Sequence, residues 1–460
     1  MQPETMSRTH EIKRVEQTTC CIVGGGPAGA MLALLLARKD IPVMLLEAHM
    51  DFDREFRGDT IHPSVLNILD EIGVAERLLQ IRHTKMPRIA FQTVNGEVTM
   101  ADFTRLKVKY PYIAVLPQAD FLRFITEEAK RYPNFQLVMG AQVDELIEES
   151  LPIPSANAAI DLEIPKVNAA VASSSAQTFG SEASSSAQAL GKENGRICGV
   201  RYRGTDGWYE VRAALTVGAD GRFSRIRKLA GFEPITTSPP MDILWFRLSR
   251  KPTDTDETFG RFGKQLILVL INRFDYWQMG YLIPKGQYQQ VRAAGLEYLR
   301  HRVAELVPQL ADRMQELTEW KQISVLSVES NRLPRWYRPG LLLIGDAAHV
   351  MSPVGGVGIN YAIQDAVVTA NILGGKLKYG IAETHDLAKI QRQRELPTRV
   401  IQTFQSAVQK GVLANVLRSD QTAIAIPPLF RFLLRVPFMR NFPAWLIGFG
   451  LWPAHVKPDQ

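Results

Sequence analysis

The chain has 460 residues, 46% of them hydrophobic and 22% charged, which is ordinary globular composition and excludes a fully disordered protein. Its three cysteines, Cys20, Cys21 and Cys198, form no CxxC or Cys/His cluster, so neither a disulfide scaffold nor a metal site is expected. The net charge of +7 comes with no basic stripe on a recognisable module, so nucleic acid is not an expected partner.

In chain order, residues 1–19 are polar and mixed in charge and read as a disordered tail. They lack the apolar core of a signal peptide, and no stretch has the length and apolarity of a membrane span, so the expectation is cytoplasmic. Residues 20–25 read as a buried strand, 27–39 as a helix with Pro27 tolerated in its first turn, and 42–47 as a second strand. Strand, glycine turn, helix and strand make a βαβ unit and imply a parallel sheet. Residues 64–80 and 118–131 read as helices, and 87–116 as antiparallel strands. The segment 151–195 repeats ASSSAQ at 172–177 and 183–188. Such a composition buries too little apolar surface to offset its ordering entropy, and it reads as a disordered Ser/Ala-rich insertion. Deleting 160–190 is therefore expected to leave folding and turnover intact, checked by thermal melting and activity of the deletion variant. Residues 208–221 end a strand in a glycine turn, 241–284 read as further strands, 287–318 as helix, 341–346 as a buried strand and 360–373 as helix. From 381 onward the chain is mostly helical.

Three motifs carry chemistry. Gly24, Gly26 and Gly29 fill the G-x-G-x-x-G slots, for a tight turn, close backbone approach to a pyrophosphate, and close helix–strand packing; Ala28 lies between the last two. Glu47, 18 residues past Gly29, ends the second strand, where an acidic side chain holds a ribose hydroxyl. Asp220 lies in Gly218-Ala219-Asp220-Gly221-Arg222, ahead of Arg227. Asp346 and His349 lie in Gly345-Asp346-Ala347-Ala348-His349, and Pro353 opens a glycine-rich turn running to Gly358, Ile359 and Asn360. Such a turn entering a helix presents N–H groups to an anionic ring or phosphate.

In this order the three motifs resemble those of the flavin-dependent aromatic hydroxylases of the para-hydroxybenzoate hydroxylase fold, the single-component FAD monooxygenases. The resemblance spans residues 18–400 apart from the 151–195 insertion. It implies an α/β fold, a Rossmann-like FAD-binding domain interleaved with a mixed β-sheet substrate domain, with a helical C-terminus. The FAD-binding domain would gather 20–80, 116–150, 196–240 and 331–400, and the substrate domain 81–115 and 241–330. The 401–460 region would be helical. Its six Lys/Arg stand against two Asp/Glu, among Phe, Leu and Trp. A helical cap is preferred there over a weak membrane-surface contact through 425–455 in a protein peripheral to a membrane.

By the same resemblance, Gly24, Gly26, Gly29 and Glu47 match the ADP-binding motif. Arg57 matches an arginine near the flavin ribityl and the pyridine nucleotide, and Gln118 a contact to ribityl or phosphates. Asp220 to Arg227 match a motif linked to both FAD and NAD(P)H, Asp346 the aspartate on the ribityl chain, and Pro353 with 355–360 the segment beside the isoalloxazine. Many relatives read G-Q-G where this chain has Gly355-Gly356-Val357-Gly358, so a side chain is missing. The implied activity is hydroxylation or epoxidation of an aromatic or polyketide-like small molecule, with NAD(P)H as co-substrate, O2, and a C4a-hydroperoxyflavin. Three alternatives stand beside it: a flavin reductase of isoprenoid double bonds, a non-catalytic FAD-binding protein, and a flavin halogenase, whose Trp-x-Trp-x-Ile-Pro signature is absent. No catalytic side chain is assigned. His349 reads as a base or, preferably, as a packing or hydrogen-bonding histidine. Tyr110, Tyr112, Trp245, Tyr276 and Trp277 are candidate pocket aromatics, though each reads more readily as plain core.

Overall fold

The computed structural model describes residues 10–53, 59–93, 96–150, 195–418 and 441–458. Two large sheets organise them. In the first, parallel strands run in the order Leu341–Leu343, Trp208–Gly218, Ile12–Val23, Val43–Glu47 and Phe135–Met139. Val43–Glu47 is buried along its whole length, as a central parallel strand covered on both faces must be. The Pro27–Ala37 helix covers one face, packing against the Gly358–Leu377 helix. All its residues after Pro27 are buried, so it is apolar all round rather than amphipathic. Strand Trp208–Gly218 extends beyond this sheet and carries an antiparallel pair, Gly195–Arg203 and Gln142–Ser150.

One expectation is corrected here. The disordered tail does not reach residue 19, because the first strand begins at Ile12. Residues 12–18 pair with Trp208–Ala213, and His10 stacks on Trp208 at 3.9 Å. The ladder bonds come from a partner nearly 200 residues away, while the side chains remain largely in solvent, so the segment's composition still resembles a tail.

The second sheet has seven strands in the order Ser324–Leu326, Met241–Ser249, Tyr276–Pro284, Leu266–Asn272, Phe259–Gly263, Arg88–Thr93 and Gly96–Asp102. All pairs are antiparallel except Phe259–Gly263 with Arg88–Thr93. One face packs on the Leu296–Leu306 helix through Leu299 and Val303. The Thr384–Val408 helix packs along Gly358–Leu377, and the Phe442–Gly448 helix closes over Phe103 and Pro63. Glu71 then holds the tail through His455 Nδ1 (2.5 Å) and the Val456 N–H (2.7 Å). Residues 441–458 are thus a strap over the first sheet's helices, with Phe442, Trp445 and Trp452 left exposed. Arg431, Arg435 and Arg440, and most of the 425–455 span, lie outside the described residues. Among those described, no helix is long and apolar enough to cross a membrane.

Candidate functional site

Strand Ile12–Val23 ends at Gly24, whose φ of +105° favours glycine. A Cβ at Gly24 would lie 2.5 Å from the Ala219 carbonyl oxygen, and one at Gly29 would lie 2.0 Å from the Gly24 carbonyl oxygen. At Gly26, the helix N-cap, the nearest protein atom would be 3.9 Å away, and no side chain caps the first helical turn. The turn is therefore closed where protein meets protein and open where its N–H groups face outward, the geometry suited to a pyrophosphate at a helix N-terminus. Glu47 is buried. Its carboxylate accepts from the Gly25 N–H at 2.8 Å, the His49 N–H at 3.0 Å and His49 Nδ1 at 2.7 Å, which places it at the mouth of the turn.

The other two motifs meet this turn from the neighbouring strands. The Ala219 N–H donates to the Val23 carbonyl at 2.7 Å, and the Ile344 N–H to the Gly218 carbonyl at 3.0 Å. Asp220 accepts from Ser224 Oγ (2.5 Å) and the N–H groups of Arg225 (2.6 Å) and Ile226 (3.0 Å). Burial pushes its carboxyl up despite these donors. Arg227 is buried, and its guanidinium donates to the Ala347 carbonyl at 3.2 Å and the Arg222 carbonyl at 2.7 Å, stitching the middle motif to the Asp346 loop. A Cβ at Gly345 would sit 3.2 Å from the Ala28 Cβ, so that loop also rests on the first helix. Asp346 is half-buried.

His349 points away from this mouth. Its Nε2 donates to Asp365 Oδ2 at 2.6 Å, and its ring lies against Trp336 at 4.9 Å. Asp365, fully buried, also accepts from the Gly345 N–H at 3.0 Å and from Arg394 Nε at 2.8 Å. Burial alone would raise this carboxyl, but His349 and Arg394 outweigh it and hold it below the ordinary range. His349 is a hydrogen-bonding histidine that secures a loop.

The turn from Pro353 to Gly358 is half-buried, with Gly355 and Gly356 at φ of +79° and +65°. The Thr384–Val408 helix and the turn beyond it hold this segment from behind. Gln405 Nε2 donates to the Ser352 and Val354 carbonyls, both at 2.8 Å, Gln402 Nε2 to those of Asn331 (2.9 Å) and Val350 (3.1 Å), and Gln409 Nε2 to Ser352 Oγ. In front, Thr60 Oγ1 donates to the Gly356 carbonyl at 3.0 Å, and Asn360 Oδ1 accepts from the His62 N–H at 2.9 Å. Asn360 and Ile359 are buried at the start of the Gly358–Leu377 helix. Gln118 opens its helix with its N–H on Asp59 Oδ1 at 3.2 Å, and Asp59 pairs with buried Arg273. Arg57 lies outside the described residues. Of the pocket aromatics, Trp277 is core with Nε1 on Asp254, and Tyr110 bonds Asp70, while Trp245 is half-buried on the opposite face of the seven-stranded sheet from Trp277.

His62, Asp365, Arg394 and the glutamines carry no motif, and sequence reading missed them. His62 is fully buried with Nδ1–H on the Ile447 carbonyl at 2.8 Å. Burial lowers its pKa from 6.5 to about 4, against the opposing carbonyls of Ile447 and Gly356. The unfolded chain therefore takes up a proton near pH 6.5 that the folded chain refuses until about pH 4. Stability should fall by up to about 3 kcal/mol as pH drops through this window. Denaturation midpoints of wild type and His62→Gln across it should differ in slope; parallel slopes would refute the assignment.

The family model described as an FAD binding domain matches residues 17–152 and 167–402. The chain belongs to the FAD-dependent aromatic hydroxylase family. It is 32% identical over 428 residues to 6-methylpretetramide 4-monooxygenase of Streptomyces rimosus, covering 91% of each chain. It is 24% identical to the 12-dehydrotetracycline 5-monooxygenase/anhydrotetracycline 6-monooxygenase of Streptomyces rimosus subsp. rimosus, over 93% of this chain and 75% of that one. The crystal structure of p-nitrophenol 4-monooxygenase PnpA from Pseudomonas putida shares the fold, with a TM-score of 0.68 at 18% identity over 93% of this chain and 97% of that one. Membership of this family makes FAD the cofactor, and the uncapped helix N-terminus, the two glycines without room for a Cβ and the carboxylate of Glu47 fit it. Monooxygenation and hydroxylation are the family's chemistry.

Proposed function

We propose that the protein uses NAD(P)H and O2 to hydroxylate or epoxidise an aromatic or polyketide-like small molecule. The observation that carries this reading is the convergence of three separate motifs on the C-terminal ends of adjacent parallel strands, in a chain 32% identical to 6-methylpretetramide 4-monooxygenase. Gly24, Gly26, Ala28 and Gly29 present the first turn to the pyrophosphate, and Glu47 accepts from the ribose. Asp220 shapes the middle turn, Arg227 positions the Asp346 loop, and Asp346, Gln118 and Arg57 serve the ribityl side. Pro353, Gly358, Ile359 and Asn360 support the ring from the loop beside it, and Gly355 and Gly356 leave that loop free of side chains.

Bound flavin supplies two-electron reduction and oxygen activation. The protein's part is to orient the substrate and keep water away from the reacting centre. The bonds from Gln402 and Gln405 hold the ring loop against the core, and the 441–458 strap braces its other side through Ile447 and His62. Asp346→Ala is expected to lower flavin occupancy, read as visible flavin absorbance per protein; full occupancy would remove Asp346 from the site.

The deciding experiment supplies the FAD-loaded protein with NAD(P)H, isotopically labelled dioxygen and phenolic or polyketide substrates. Transfer of one labelled oxygen atom to product supports the reading. Reduction of a double bond with no oxygen gained would favour the isoprenoid reductase, and failure of NAD(P)H to reduce the flavin would favour a non-catalytic flavoprotein.

A further inference from the structure

The 441–458 strap reaches both of the loops assigned to flavin above, by separate routes. The first runs through Ile447. Its carbonyl accepts from His62 Nδ1 at 2.8 Å, and the His62 N–H donates to Asn360 Oδ1 at 2.9 Å. A Cβ on Gly355 would lie 3.7 Å from the Ile447 side chain, and one on Gly356 would lie 3.6 Å from His62 Nε2. Leu446 and Ile447 also share an apolar cluster with Met351 and Val357, one on either side of these two glycines. The strap therefore rests directly on the ring loop.

The second route runs through Phe449. Its carbonyl accepts from Gln364 Nε2 at 3.3 Å, and Gln364 Oε1 accepts from Arg394 Nη1 at 3.1 Å. Arg394 Nε donates to Asp365 Oδ1 at 2.8 Å, and Asp365 Oδ2 accepts from the Gly345 N–H at 3.0 Å, at the root of the Asp346 loop. His62, Asn360, Gln364, Asp365 and Arg394 are all buried, so water does not compete for these bonds.

The outer end of the strap is held differently. The His455 ring and the Val456 N–H donate to Glu71, Asn371 Nδ2 donates to the His455 carbonyl, and the Lys457 N–H donates to Asn371 Oδ1, all at the surface. Bonds exposed to water open at small cost, so this is the end from which the strap peels. Between the two ends lies Gly450, with φ of +81°, where a Cβ would sit 3.0 Å from the Tyr361 hydroxyl.

We propose that the strap is a clasp whose docking and flavin binding reinforce each other, with His62 and Gln364 as the positioning residues that couple them. Gly355 and Gly356 leave the ring loop with wide backbone freedom. A docked strap removes that freedom beforehand, so flavin has less disorder to overcome on binding. Linkage then requires the converse, and bound flavin holds the strap down by the same factor. The inference rests on the placement of the two loops against flavin proposed above.

Hydrogen exchange tests this on the unaltered full chain, with its flavin bound and after the flavin has been removed by dialysis. Strap amides within 445–456 should exchange at least about five-fold faster without flavin, while those of the Leu296–Leu306 helix, outside both routes, change by less than about two-fold. Glu71→Ala touches only the outer end, yet it should weaken flavin binding at least about five-fold in a fluorescence titration. Gln364→Met cuts the second route and should weaken it similarly. Because both act through one docking step, the double variant should bind flavin less than about two-fold more weakly than the weaker single variant. Should Gln364→Met fail to fold, Gly450→Ala replaces it. Equal strap exchange with and without flavin, Glu71→Ala binding flavin as tightly as wild type, or fully additive losses would each overturn the proposal. Asp346→Ala and Gly26→Ala separate the two readings. If both keep their flavin, the loop placement itself fails; if both lose it while Glu71→Ala does not, only the clasp falls.

Discussion

A Gly29→Ala variant should purify without bound flavin and with a lowered melting temperature. The added methyl would lie 2.0 Å from the Gly24 carbonyl oxygen and 3.2 Å from Ile22 Cγ2. A backbone oxygen in a turn cannot move aside as a side-chain end can, so the helix must lift from the strand. Overpacking of this kind costs about 1–3 kcal/mol or more. Gly24→Ala should behave similarly, since it adds an unfavourable φ of +105° to a 2.5 Å clash with Ala219. Gly26→Ala separates site from fold. Its methyl meets no protein atom closer than 3.9 Å, so the variant should melt like wild type. It should nevertheless hold flavin at least about ten-fold more weakly, because its methyl enters the space through which the turn approaches the pyrophosphate. Thermal melts and flavin retention after dialysis read both quantities. A Gly26→Ala protein that keeps its flavin as tightly as wild type would show that the turn does not carry the cofactor.

Arg394→Met should be the most destabilising conservative-volume change in the Thr384–Val408 helix. Arg394 and Asp365 are both essentially inaccessible, 1% and 0% exposed, and the guanidinium also reaches Gln364 Oε1 at 3.1 Å. Removing one partner of a buried pair leaves the other charge uncompensated, at about 3–5 kcal/mol. His349 softens the loss, since it still donates to Asp365. The double variant Asp365→Asn/Arg394→Met should recover part of the stability, because no orphaned carboxylate remains. Arg394→Lys keeps the charge but loses the fork that spans Asp365 and Gln364, and it should fall between. Chemical denaturation of the four proteins tests this. An Arg394→Met protein within about 1 kcal/mol of wild type would refute the assigned role.

The nucleotide turn was legible because geometry there dictates residue identity: two positions have no room for a Cβ, and the acid must sit where the second strand ends. Asp365 and Arg394 were not legible. They stand 29 positions apart on different helices, and their relation to His349 exists only once those helices pack. The glutamines misled for a different reason. Gln391, Gln402, Gln405 and Gln409 recur at helical spacing in a polar stretch, which ordinarily marks a solvent face. Here that stripe is buried, and the acceptors it meets are main-chain carbonyls of irregular segments, such as those of Pro334, Ser352 and Val354. Arg227 shows the same limit, since its motif marks the place while the structure spends its guanidinium on carbonyls. Trp245 and Trp277 lie three positions apart in a cross-strand ladder, so one faces the helix-covered core and the other the opposite face, a distinction set by pleat parity and by which face a helix covers.

The discontinuity of the first sheet bears on how the molecule is made. Its central strand, Ile12–Val23, is synthesised before both of its neighbours, Val43–Glu47 and Trp208–Gly218, and the adjoining Leu341–Leu343 follows the latter by about 120 residues. Until those partners are synthesised, an apolar strand edge stands open, and such edges invite pairing with other chains. The dinucleotide turn cannot be completed before residue 219 is available, nor its Asp346 loop before residue 346 is. Cofactor capture is therefore a late event in biosynthesis, and fragments ending before the Leu341–Leu343 strand should be both colourless and prone to aggregate.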